Sequence, residues 1–120
     1  MTLSVYTARI SYSGPDRLDV SRKSAGPDGL PFAPSWQILR PMLAVRRAGG
    51  DELAAWSRYV VDYTTEMRTS YRERRPAWNR LLARDEVTLC CYCTDPTHCH
   101  RTLLAGLFAK LGAASLGERT

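Results

Sequence analysis

The sequence predicts a small α/β domain with a mainly parallel sheet flanked by helices. Three observations carry this. Ser4–Ile10 and Glu86–Tyr92 are rich in β-branched and aromatic residues and lie far apart in the chain. Helical periodicity fills most of the space between them, and helical crossovers join parallel strands. At 120 residues the chain has the length of a single domain, taken as 1–120. Its 44% hydrophobic and 24% charged residues are ordinary for a globular protein. That balance excludes a disordered tail, a collagen-like fibre and a coiled coil.

The elements follow in order. Ser4–Ile10 alternates and reads as a strand. Ser13-Gly14-Pro15-Asp16 is a turn signal, and Leu18–Ser21 is a short second strand. Lys23–Pro34, with its glycines and prolines, is a loop. Ser35 caps a helix starting near Trp36, which Pro41 interrupts or restarts and Gly49-Gly50 ends. Asp51 caps a long helix to about Arg74, with Leu53, Trp56, Val60, Tyr63, Met67 and Tyr71 as its apolar face. Pro76 opens a shorter helix through Leu82, with Trp78 and Leu81 inward. Glu86–Tyr92 is a buried strand parallel to the first. Thr94–Cys99 is a loop, and His100 or Arg101 starts a helix to Leu111, with Gly112 as its C′ residue. There is no repeat and no low-complexity segment.

The longest uncharged apolar run, Leu103–Ala109, is far short of the roughly 20 residues a membrane helix needs. The N-terminus lacks the basic and apolar regions of a signal peptide. A soluble, cytoplasmic protein without a membrane partner is expected. Basic residues outnumber acidic ones 17 to 12. All but Lys23 and Lys110 are arginine, which grips phosphate and carboxylate with a planar fork. GC-rich codon usage accounts for an arginine excess equally well.

Cys90, Cys91, Cys93 and Cys99 fall within one ten-residue window, with His98 and His100. A disulfide framework spreads its cysteines, so this cluster points to metal, redox or catalytic chemistry. Strand alternation puts Cys91 and Cys93 on one face and Cys90 and Tyr92 on the other, with Cys90 in the core. Cys99 stands at a helix N-terminus, where unpaired N–H groups and the dipole favour an anion and a thiolate. Arg101 adds a positive charge beside it. One reading is a zinc site using Cys91, Cys93, Cys99 and His100 or His98. The other is a metal-free pocket for an anionic ligand. Ligands in such sheets bind off the carboxyl ends of the strands, where this window lies.

The run Leu89–Arg101, with Cys91 at the strand end, Asp95-Pro96 in the loop and Cys99-His100-Arg101 opening the helix, resembles the domain of unknown function 488 family. Tyr6-Thr7 on the first strand and Asp19-Val20-Ser21-Arg22 resemble its opening strand and Asp-Val-Arg segment, with Ser21 in the arginine's place. Cys93 stands where the family often carries a Glu. The resemblance implies an α/β fold, a bacterial or phage origin and no particular reaction.

A phosphorylated, nucleotide-like ligand is the expected partner, bound without a cofactor or beside zinc. Arg101, Arg22 and Arg9 are the expected phosphate grips, with Cys91 and Thr7 at the strand ends. Tyr12, Trp36 or Tyr92 would stack a base. As an enzyme, the chain would use Cys99 as nucleophile, His100 as acid or base, and Asp19 to orient or deprotonate a ligand hydroxyl. The alternatives are a nucleotide sensor or scavenger without turnover, and a zinc-stabilised module contacting nucleic acid through Arg68, Arg72 and Arg75.

Overall fold

The computed structural model describes residues 2–119. Four strands, β1 (Ser4–Arg9), β2 (Arg17–Asp19), β3 (Glu86–Cys91) and β4 (Ala114–Glu118), form one sheet in the order β2-β3-β1-β4. Every pairing is parallel, as expected for strands joined by helical crossovers. The helices are α1 (Trp36–Ala48), α2 (Glu52–Glu73), α3 (Arg75–Leu82) and α4 (His100–Lys110). None is long and apolar enough to cross a membrane among the described residues.

Alternation divides the sheet's two faces cleanly. Val5 of β1, Leu18 of β2, and Val87 and Leu89 of β3 join Met42, Tyr63, Met67, Trp78, Leu104 and Phe108 in one core. Phe32, from the loop before α1, packs edge-on against Trp78 with ring centroids 4.9 Å apart. The other face carries polar groups. Thr88 donates to Asp16 Oδ2 at 2.5 Å. Arg119 donates to the Thr88 hydroxyl at 2.9 Å and lies 3.6 Å over the Tyr6 ring. Cys90 is buried, as expected of a core cysteine, but on this polar face.

Two expectations need correction and one strand is unforeseen. Pro41 does not interrupt α1, which runs unbroken through it. Leu53 is 69% exposed and does not belong to the apolar face of α2. In the first turn of that helix the exposed Glu52 meets Arg46 at 3.8 Å and His98 at 3.5 Å. Tyr59 takes the inward place, giving Tyr59, Tyr63 and Met67 at spacings of four. Finally, β4 has no counterpart in the sequence reading. Its residues, Ala-Ser-Leu-Gly-Glu, include no β-branched side chain. Backbone pairing with β1 makes it a strand, after a turn through Gly112 at φ +103°.

Candidate functional site

Parallel strands deliver four chain ends to one edge of the sheet: Arg9, Asp19, Cys91 and Glu118. The β3–α4 connection returns over that edge. Asp95 accepts from Thr97 N at 2.9 Å and caps a short 3₁₀ turn, Pro96–His98. Cys99 is then the N-cap of α4. This path brings the sulfurs of Cys91, Cys93 and Cys99 within 4.8 Å of one another. Cys91 and Cys99 are buried and Cys93 is half-buried. Cys91 and Cys93 share a side, although the strand whose alternation predicts it ends at Cys91.

The three thiols titrate as a unit. Hydrogen bonds from Cys91 and Cys99, with a further one from Arg46, push Cys93 well below the usual thiol range against the cost of its burial. Burial, then the neighbouring sulfurs, pushes Cys99 up. Burial at 1% exposure therefore works against the thiolate that the helix N-terminus favours at Cys99.

Arg101 is fully buried. Its Nη1 donates to Cys93 O at 2.8 Å, Cys91 Sγ at 3.1 Å and Cys99 Sγ at 3.4 Å. Its Nε and Nη2 donate to the two carboxylate oxygens of Glu118 at 3.1 and 2.8 Å. The expected anion clamp is thus a positioning residue: it ties β4 to the thiol corner and has no edge free for a ligand. His100 is buried too, and burial lowers its pKa. Its Nε2 lies 2.9 Å from Val20 O, which only accepts. The proton is therefore on Nε2 and the lone pair on Nδ1, 4.0 Å from Cys99 Sγ. His100 does not join the sulfur cluster as a fourth metal ligand.

A cleft of about 230 Å³ opens above the sulfurs. Helix α1 lines it with Trp36, Leu39, Met42, Leu43 and Arg46, and α2 with Trp56 and Tyr59. Ser21, Arg22 and Lys23 form another wall, and Tyr92, His98 and His100 complete it with the three cysteines. Tyr92, expected on the opposite face, lines the cleft because β3 ends at Cys91. Its hydroxyl is 2.9 Å from Ser24 Oγ. Trp36 is 40% exposed rather than packed in the core. Trp56 stacks on His98 at 4.9 Å and on Tyr59 at 5.4 Å. Arg22, Lys23 and Arg46 line the cleft and no described carboxylate does. Arg46 also donates to His98 O at 2.6 Å, fixing the loop before Cys99.

The other expected residues lie elsewhere. Asp19 accepts from Ser21 N at 2.9 Å, Ser21 Oγ at 2.6 Å and Ser24 Oγ at 2.5 Å. Burial works to raise its pKa, but the Ser21 and Ser24 hydrogen bonds prevail and lower it. It shapes the turn that carries Arg22 and Lys23 and does not line the cleft. Arg22 does line it, while its Nε donates to Pro34 O at 2.7 Å. Thr7 donates to Glu118 Oε1 at 2.5 Å. Arg9 and Tyr12 line a separate groove with Glu118 and Arg119. Arg68, Arg72 and Arg75 are exposed, Arg68 and Arg72 beside an apolar groove floored by Met67 and Trp78. Arg75 lies 3.7 Å over the Tyr71 ring. The sequence reading missed Arg46, Tyr59 and Glu118. For Tyr59 a signal existed, since it precedes Tyr63 by one helical turn.

The fold and site define a small parallel α/β protein with a thiol-floored, cation-lined cleft at the carboxyl edge of its sheet. The chain belongs to the DUF488-N3a family, described as the active DUF488-N3 subclade, whose model matches residues 28–112. That span holds the thiol corner, α1 and α2, and confirms the resemblance read from Cys91 and Cys99-His100-Arg101. No curated protein and no solved structure matches the chain.

Proposed function

We propose that the cleft binds a small phosphorylated, nucleotide-like ligand over the three thiols. One observation carries this: Arg22, Lys23 and Arg46 share an aromatic-walled cleft that no described carboxylate lines. Guanidinium forks and an ammonium suit phosphate, and exposed Trp36 and Tyr92 offer faces for a base. The volume lies just below the usual range of small-molecule pockets, roughly 300–1,000 Å³, so a mononucleotide fits the site better than a dinucleotide. The thiols beneath give the cleft nucleophilic chemistry, with Cys93 the one least covered. Four free cysteines suit a reducing cytoplasmic setting.

The test is calorimetric titration of AMP and other mononucleotides into the reduced protein. Binding that weakens at least tenfold in Arg46→Ala supports the reading. No binding at millimolar AMP, or equal binding by the variant, refutes it. Mass spectrometry of the recovered nucleotide after long incubation separates turnover from simple capture. A second reading, a zinc-stabilised module, is favoured by the cluster of three sulfurs, and elemental analysis of the purified protein tests it.

A further inference from the structure

We propose that Cys91, Cys93 and Cys99 hold one soft divalent ion, zinc by chemical type, in an open site. The fourth coordination position faces the cleft, where an oxygen of the anionic ligand completes the shell. The ligand half of this proposal rests on the cleft being the ligand site.

The sulfurs are already gathered within 4.8 Å of one another. Tetrahedral zinc, with Zn–S of about 2.3 Å, wants sulfurs roughly 3.8 Å apart, so closing on an ion takes about 1 Å of movement. The donors are all thiols, which select zinc-like soft ions over magnesium, calcium or manganese. Each sulfur also faces a nitrogen donor: Arg101 Nη1 for Cys91 and Cys99, and Arg46 Nη1 at 3.9 Å for Cys93. Such outer contacts orient thiolates and offset their charge. Glu118 already neutralises Arg101. Three thiolates and a divalent ion leave a single negative charge, and Arg46, which also pairs with Glu52 at 3.8 Å, is the cation beside Cys93. On loading, the thiols release their protons to solvent and the three S⁻–ion bonds form without any change in oxidation state.

Two observations make the site open. His100, the nearest candidate for a fourth ligand, has its Nδ1 4.0 Å from Cys99 Sγ but does not lie within 4.8 Å of all three sulfurs, which form the cluster without it. Tyr59 is 4% exposed, lines the cleft, and its hydroxyl has no hydrogen-bond partner among the described residues. A buried hydroxyl without a partner is costly. An oxygen bound at the open position gives it one.

The test is anaerobic titration of the reduced full chain with Co²⁺, then with AMP. One equivalent of cobalt should give sulfur-to-cobalt charge-transfer absorption and tetrahedral visible bands, and zinc should displace it. Cys93→Ser, at the half-buried position, should weaken cobalt binding at least tenfold while its melting curve shows that it folds. AMP should then shift the visible bands of the wild type, and shift them less in Tyr59→Phe. Absence of charge-transfer bands, or bands unchanged in Cys93→Ser, overturns the ion site even if metal-free protein binds AMP. Cobalt loading with full thiolate bands but no response to AMP overturns the open position. In that case, calorimetry on metal-free protein shows whether the ligand reading fails with it.

Discussion

Two concavities share the carboxyl edge of one parallel sheet, and they differ in what their arginines face. In the cleft over β3 and α4, Arg22, Lys23 and Arg46 line walls without a described carboxylate. In the groove beside β1 and β4, Arg9 and Arg119 stand with Glu118, and Arg119 reaches Asp16 at 3.4 Å. Tyr12 is part of that second arrangement, its hydroxyl donating to Asp16 at 2.6 Å. The groove's charge is largely satisfied from within. The cleft's is not. Position at the strand ends is therefore insufficient to make a site, and uncompensated charge distinguishes the two.

The largest expected effect breaks the structure that separates them. Removing the Glu118 carboxylate leaves Arg101 buried without its counter-ion. Glu118→Ala should cost about 3 kcal/mol, the lower end of the range for breaking a buried pair, because Glu118 itself keeps 24% side-chain exposure. Urea unfolding measures it. A loss below about 1 kcal/mol would mean that Arg101 finds another partner. Next comes Arg46→Ala, expected to weaken AMP binding at least tenfold, the scale of one charge-assisted hydrogen bond.

Acid stability sharpens the comparison further. Burial opposes ionisation of Asp16, but hydrogen bonds from Thr88 and Tyr12 and the charge of Arg119 leave its pKa lowered. Burial likewise opposes ionisation of Glu118, and Arg101 and Thr7 lower it on balance. Both folded values lie below the unfolded ones, so the unfolded chain takes up protons first as pH falls. Their stabilisation is complete above about pH 5 and is lost as pH drops through the depressed folded values, below about pH 4. Asp16→Asn should flatten that acid limb in melting experiments from pH 6 to 3. An unchanged slope would contradict the assignment. The smallest effect is expected from Arg9→Ala and Tyr12→Phe, which should alter AMP affinity less than twofold. A tenfold loss from either would move the site to the groove.

Much of the cleft's floor is legible in the sequence because its parts are local. Cys91, Cys93, Cys99 and His100 lie on one strand–loop–helix passage, and the strand's end plus a helix start place them. What covers the floor is not legible. Arg46 reaches His98 from 52 residues away, and only the pairing of α1 with α2 brings it there. Arg101 reads as an exposed clamp until β4 supplies Glu118, and β4 is invisible in residues with no strand preference of their own. Asp19 and Thr7 carry functional residue types, yet their polar atoms serve the Ser21–Ser24 turn and Glu118. Leu53 and Tyr59 show the limit of helical periodicity. Spacing defines a face, and the contacts at the helix end decide which residues occupy it.

The central claim is that the cation-lined cleft, and not the neighbouring groove, is the ligand site. A crystal structure of the reduced protein with saturating AMP tests it most directly. The nucleotide is expected above the three sulfurs, with its phosphate on Arg46 or Lys23 and its base against Trp36 or Tyr92. Nucleotide in the Arg9–Tyr12–Arg119 groove, or an empty cleft at saturation, would contradict it.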